Sequence, residues 1–307
     1  MKLVRYLFIL ALIVGMAATA FPALAQEGTD FTAEELEWID FVASAYENTL
    51  TSTTLQGAVE QTMTQNMRVG TTTIDQTIAL KGEMSMINGG ELPVMYAFTD
   101  QTIEQVINGQ DAPPTDIVLE MTVYDGIFYM RYGTPMQGLP EGWFEANTLF
   151  PSLGMGEIVD FNALTKYMGG ALANYPVNKD TVASITELDP EKLDGVGTRV
   201  FEMEWNLQNL FSDTDLTGMV DLSSLGIDME DYWQQFADKS TMSQRIWIGL
   251  ESGLILKVEQ QADTTGLEFT DLAGVPGTLE MDQVVASTAT YSNFGEPVEI
   301  EKPVLGE

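Results

Sequence analysis

The sequence contains neither cysteine nor histidine. Without cysteine there is no disulfide, no thiolate nucleophile and no acceptor for lipid attachment. Without histidine the Ser-His-Asp relay and the usual zinc ligand sets are out of reach as well. Basic residues are also scarce: 13 Lys and Arg stand against 46 Asp and Glu, for a formal charge of -33. Such a field repels nucleic acid, so no nucleic-acid partner is expected, and neutral, cationic or apolar ligands remain. The residues imply no cofactor. Solubility or a salty exterior accounts for the acidity, with a specific cation-binding role as the other reading. At 45% hydrophobic residues the chain of 307 has ample material for a core.

What is present begins with a leader. Lys2 and Arg5 precede an apolar run from Tyr6 to about Phe21, and Pro22-Ala23-Leu24-Ala25 follows with small residues at the last and third-last positions. This is the pattern of a secretory signal peptide over 1–25, cleaved after Ala25, and a retained membrane anchor is the alternative. The mature chain is then exported, to the cell exterior, the periplasm or the envelope. Loss of Lys2 and Arg5 leaves 11 basic residues against 46 acidic ones. No long Pro, Gly or Ser linker and no internal repeat interrupts 26–307, so one domain is expected.

Thr32-Ala33-Glu34-Glu35 has capping-box spacing. Leu36, Ile39, Val42, Ala43, Tyr46 and Leu50 then recur at intervals of three and four, which predicts an amphipathic helix over 33–50, its apolar face widened by Trp38, Phe41 and Ala45. From Leu55 the period changes to two. Val59, Met63, Met67 and Val69 oppose Glu60, Thr62, Thr64, Asn66 and Arg68; after Gly70, Ile74, Ile78, Leu80, Met84 and Met86 oppose Asp75, Thr77, Lys81, Glu83 and Ser85. Long strands with short links belong to a curved or barrel-like antiparallel sheet. Residues 117–124 and 127–132 form a further pair around Asp125-Gly126, a strong hairpin signal. Between them, 88–114 has room for a strand near 93–98 and a loop.

Helical spacing over 158–175 ends at Pro176; a short strand near 182–188 and a clear one over 198–206 follow. Residues 207–236 read as helical pieces broken near Gly218 and Gly226. Then Arg245-Ile246-Trp247-Ile248-Gly249-Leu250 and Leu254-Ile255-Leu256-Lys257-Val258 flank a Glu-Ser-Gly link, a hairpin in the middle of the sheet. The run 277–291 supplies the last strand. Roughly eight to ten strands with helices on one face are expected.

Asp213, Asp215, Thr217, Gly218, Met219 and Asp221 imitate the start of a calcium loop, but Ser224 stands where the bidentate Glu belongs. A solvated acidic turn is the preferred reading, and no metal site is assigned. No carboxylate pair stands out for glycoside hydrolysis, and no enzyme is expected. The methionines say more. Met63, Met67, Met84, Met86, Met121 and Met130 lie on strands, most on apolar faces, where a flexible thioether either packs an ordinary core or adapts to a variable acyl chain.

The Trp247 hairpin with its Gly-Leu-x-x-Gly-Leu turn, followed by a final strand and Tyr291-Ser292-Asn293-Phe294-Gly295-Glu296-Pro297, resembles the tail of the LppX/LprG-type lipid-carrier lipoproteins. More distantly it resembles the LolA/LolB carriers. The likeness spans nearly the whole mature chain in order of elements. It implies an α+β fold: a large curved antiparallel sheet, a half-barrel, with helices packed across its concave face and an apolar cavity between. It also implies a non-catalytic carrier of a lipid or other apolar molecule. The missing lipidation cysteine departs from that pattern and leaves the protein untethered by that route. Inferred from strand faces alone, the expected ligand-binding residues are Met63, Met67, Met84, Leu119, Met121, Phe128, Met130, Ile246 and Ile248. An envelope protein partner and peripheral membrane contact are the further expectations. The alternative is an envelope interaction or sensor protein with a filled core, binding through its acidic surface.

Overall fold

In the computed structural model, described residues are 31–88, 93–134, 139–152, 177–212, 229–270 and 277–306. The leader, the helical spacing of 158–175 and the calcium-like stretch 213–224 lie outside them. The chain enters with helix α1 (Ala33–Leu50). Its capping box is formed: Glu35 N donates to Thr32 Oγ1 at 3.2 Å, and Thr32 N donates to Glu35 Oε2 at 2.7 Å. Ile39, Val42, Ala45, Tyr46 and Thr49 are buried. Leu36, expected on the apolar face, is 39% exposed.

After α1 come β1 (Thr54–Val69), β2 (Thr72–Ile87), β3 (Val94–Ile107), β4 (Gln110–Asp111), β5 (Thr115–Tyr124), β6 (Ile127–Tyr132), β7 (Phe144–Glu145) and α2 (Ala146–Ser152). The second half holds β8 (Val182–Leu193), β9 (Val196–Trp205), α3 (Leu207–Ser212), α4 (Met229–Lys239), β10 (Ser240–Gly249), β11 (Ile255–Thr270) and β12 (Thr278–Ser292). All the strands join one 12-stranded sheet in the order β7-β6-β5-β3-β2-β1-β12-β11-β10-β9-β8, with β4 pairing β3. Every pairing is antiparallel. The fold is therefore α+β around one large open antiparallel sheet, and the Trp247 hairpin lies inside it rather than at an edge.

The sheet is larger than the expected eight to ten strands for local reasons. Residues 88–114, read as a loop with one short strand, carry the 14-residue β3. Its turn, Asn108-Gly109, has both residues at positive φ, 51° and 75°, as a two-residue hairpin demands. Asp194-Gly195, at 49° and 88°, does the same for β8 and β9. Strand β8 runs five residues past the expected end at 188 and contains Pro190. A proline is tolerated there because β8 is an edge strand, where a missing N–H breaks no inner ladder. Strand β11 continues through a bulge between Thr264 and Leu267, where Gly266 takes a φ of 73° and its N–H donates to Asp282 Oδ1 at 2.7 Å.

The helices with described packing share one face of the sheet, called the inner face here. Helix α1 covers β8 to β11 through Ile39, Val42, Ala45 and Tyr46 against Phe201, Met203, Ile246, Ile248 and Ile255. Helix α4 lays Tyr232 on Phe269 of β11, with centroids 5.7 Å apart. At the other end Ala146 and Leu149 of α2 pack on Leu119, Phe128 and Met130.

Candidate functional site

Directly opposed residues share a sheet face, so the registers lay out the inner face as rows running across strands. One central row is Ile103, Ile78, Met63, Val285, Ala262 and Met242. A second, one pleat away, is Gln101, Leu80, Gln61, Ser287, Gln260 and Gln244. The third, on the far side of the first, is Gln105, Gln76, Gln65, Gln283, Thr264 and Ser240. Thus an apolar row is flanked by two rows of primary amides, and no charged side chain occurs in any of the three. The amides are deep: Gln61, Gln65, Gln76, Gln101, Gln244 and Gln283 are each at most 8% exposed.

Some of these amides satisfy one another. Gln65 Nε2 donates to Gln283 Oε1 at 3.0 Å, Gln105 Nε2 to Gln76 Oε1 at 2.8 Å, and Gln244 Nε2 to Gln260 Oε1 at 2.8 Å. Tyr46 of α1 adds its hydroxyl to Gln244 Oε1 at 3.0 Å. Two acceptors are left over: Oε1 of Gln61 and Oε1 of Gln65 are buried with no hydrogen-bond partner.

All nine sequence-predicted ligand residues lie on the inner face, in separate clusters. Met63 sits centrally with Ile78, Ile103, Ile117, Ala262 and Val285. Leu119, Phe128 and Met130 are buried together beneath α2, with Met121 partly buried against them. Met84 is half-buried opposite Gly57; a Cβ at Gly57 would come within 3.2 Å of the Met84 side chain, so the glycine makes room for it. Met67, 3% exposed, pairs Ile74 and Met281. Ile246 and Ile248 are fully buried under α1 in a different cluster. One continuous face thus holds them, with three centres along it. Met67, Met84, Ile246 and Ile248 do not join the Met63 cluster, because the amide rows and α1 come between.

The glutamines were missed by the sequence reading, although the signal was present. A strict period of two puts Gln61 and Gln65 on the same face as Met63, and Gln76 between Ile74 and Ile78. Their polarity masked their position.

Charge is kept to the other face. There Lys81 Nζ meets Glu60 at 3.0 Å, Arg68 pairs Glu280, and Arg131 Nε reaches Glu120 at 3.0 Å. The exception lies at the inner edge under α1, where Arg199 donates to Glu187 at 2.7 and 2.9 Å and its guanidinium lies 4.4 Å over the Phe41 ring. That hydrogen bond holds the Glu187 carboxyl below the usual carboxylate range, against the opposing effect of burial. Burial pushes the phenols of Tyr132 and Tyr232 up. Among the described residues no group of three or more Asp and Glu is placed to hold a metal ion, and no helix is long and apolar enough to cross a membrane.

Two hollows are described. One, of about 700 Å³, takes in Gln65, Gln76, Gln105 and Gln283 from the inner face together with Asn66, Asp75 and Asp282 from the outer. Because its lining alternates between faces, it is not a chamber for an acyl chain. The other, of about 530 Å³, lies on the outer face between Tyr96, Thr122, Arg131 and Trp143 and the C-terminal segment 299–304. That segment is strapped down by Lys302 on Asp125 at 3.2 Å and by Gly306 N donating to Trp143 O at 3.1 Å.

No protein-family model matches the sequence, and no curated protein does. Among solved structures the chain is similar to the lipoprotein LppX of Mycobacterium tuberculosis at 13% identity and a TM-score of 0.38, over 88% of this chain and 100% of that one. LprF of Mycobacterium bovis also aligns at 13% and 0.38, over 89% and 98%. A DUF1329 family protein of Desulfovibrio piger aligns at 12% and 0.27, over 87% and 95%. These likenesses are loose, and the site rests on this chain's own registers and burial.

Proposed function

We propose that the protein is an exported, non-catalytic carrier that holds an apolar or amphiphilic molecule against the inner face of its sheet. The observation that carries this reading is the uncharged interior. Three adjacent rows across six strands contain only aliphatic, thioether, amide and hydroxyl side chains, in a protein whose net charge is -33. Keeping every one of many carboxylates off those three rows is what a surface for an uncharged ligand requires. An acid–base site would need the reverse. Affinity comes from apolar area removed from water, at about 25 cal/mol per Å² before ordering costs.

Met84 and Met121 are two of the methionines that remain partly exposed on this face, where a ligand would meet them. Met84→Lys and Met121→Lys each place an ammonium there without opening the sealed clusters. Retention of an uncharged fluorescent long-chain alcohol should fall at least ~10-fold in each, while the far-UV circular dichroism stays that of the wild type. Unchanged retention in both would contradict a carrier site on this face.

A further inference from the structure

Deepening the carrier reading, on which it rests, we propose that the ligand is a neutral amphiphile bearing hydroxyl or amide N–H groups that donate to Gln61 and Gln65. The site contains two acceptors aimed inward with nothing to accept from: Oε1 of Gln61, in a residue 6% exposed, and Oε1 of Gln65, in a residue 5% exposed. A buried amide oxygen in this position is normally satisfied. Gln65 donates through Nε2 to Gln283 at 3.0 Å, and in that arrangement its oxygen is the atom left over.

Both residues stand on β1 with Met63 between them. Four residues of extended chain put them roughly 13 Å apart. The spacing selects a molecule with an apolar stretch over Met63, Ile78 and Val285 and a donor at each end of it. Four chemical classes fit poorly. Hydrocarbons and fully esterified lipids have no donor to offer. Ionised fatty acids carry a charge into rows that hold no basic partner, inside a strongly acidic protein. Cationic amphiphiles would meet no carboxylate on these rows. Alcohols, polyols and secondary amides remain.

The test uses the mature protein with two probes of one carbon skeleton, a long-chain α,ω-diol and its dimethyl ether, which has no donor. Calorimetric titration of the wild type should show the diol bound more tightly, by roughly 2- to 10-fold for each hydrogen bond gained. Gln61→Leu removes one acceptor and breaks no hydrogen bond among the described residues. It should cut the preference by that factor while leaving ether affinity within about 2-fold and the thermal midpoint no lower. Gln65→Leu should cut it by a similar factor, with release of Gln283 as a side effect. Equal binding of diol and ether by the wild type, or a preference that survives both variants, would overturn the proposal. The orphan oxygens would then be satisfied by water alone and the carrier reading would stand. Binding of neither probe would overturn the carrier reading together with this refinement.

Discussion

The two halves of the inner face are finished differently. Under α1, strands β8 to β11 close on a core in which Phe201, Met203, Ile246, Ile248 and Ile255 are fully buried, with Trp38 and Phe41 tilted onto Phe201 at 6.4 and 5.8 Å. Thr49 shows the care taken: β10 and β11 shift register between Trp247 and Ile248, and the Ile255 N–H finds Thr49 Oγ1 at 2.8 Å. In the centre, over β1, β2, β3 and β12, the rows include amides, and two of their oxygens are left unsatisfied. A core selected only for stability would resemble the first half throughout. On the proposed carrier function, the α1 half supplies stability and the centre supplies recognition.

That division can be broken most sharply at Phe201. Phe201→Ala opens a cavity in the sealed half and should cost about 3–5 kcal/mol in urea unfolding, the same with and without added lipid. Rescue by lipid would mean that the α1 half is part of the site. Next comes Thr49→Val, which keeps the volume but orphans the Ile255 N–H; about 1–3 kcal/mol should be lost in the same assay. The smallest effect concerns Glu187. Its carboxyl is held below its ordinary range by the Arg199 hydrogen bond, so its folded-state pKa lies under the unfolded one. The pair therefore stabilises fully above the unfolded value, near 4.3, and the contribution is lost as pH falls through the lower, folded value. Glu187→Gln should cost roughly 0.2–1 kcal/mol at neutral pH and nothing measurable in strong acid. An equal cost at both would place the effect in packing.

The periodic elements were legible in the sequence, because their signals are local. Helix α1 announced itself through Thr32, Glu35 and a 3.6-residue apolar stripe. Strands β1 and β2 did so through alternation, and β5–β6 through Asp125-Gly126. What failed was breadth of the same rules. Asn108-Gly109 and Asp194-Gly195 carry equal hairpin chemistry and were passed over. Pro190 suggested an end to β8 that the sheet edge does not impose. The site itself was half legible. Period two placed Met63, Leu119, Met121 and the rest on one face. Which of them cluster depends on register between β1, β12 and β11, far apart in sequence. Gln61 and Gln65 were hidden because burial of an amide is a property of the assembled sheet, set by what lies on neighbouring strands.

Whether this face carries a ligand can be read from native mass spectrometry of the protein, followed by organic extraction of what leaves it. The expected result is a stoichiometric neutral adduct that is retained under gentle ionisation and carries hydroxyl or amide groups. A clean apo mass that persists after incubation with mixed neutral lipids would contradict it, and would favour a filled-core protein that acts through its acidic surface.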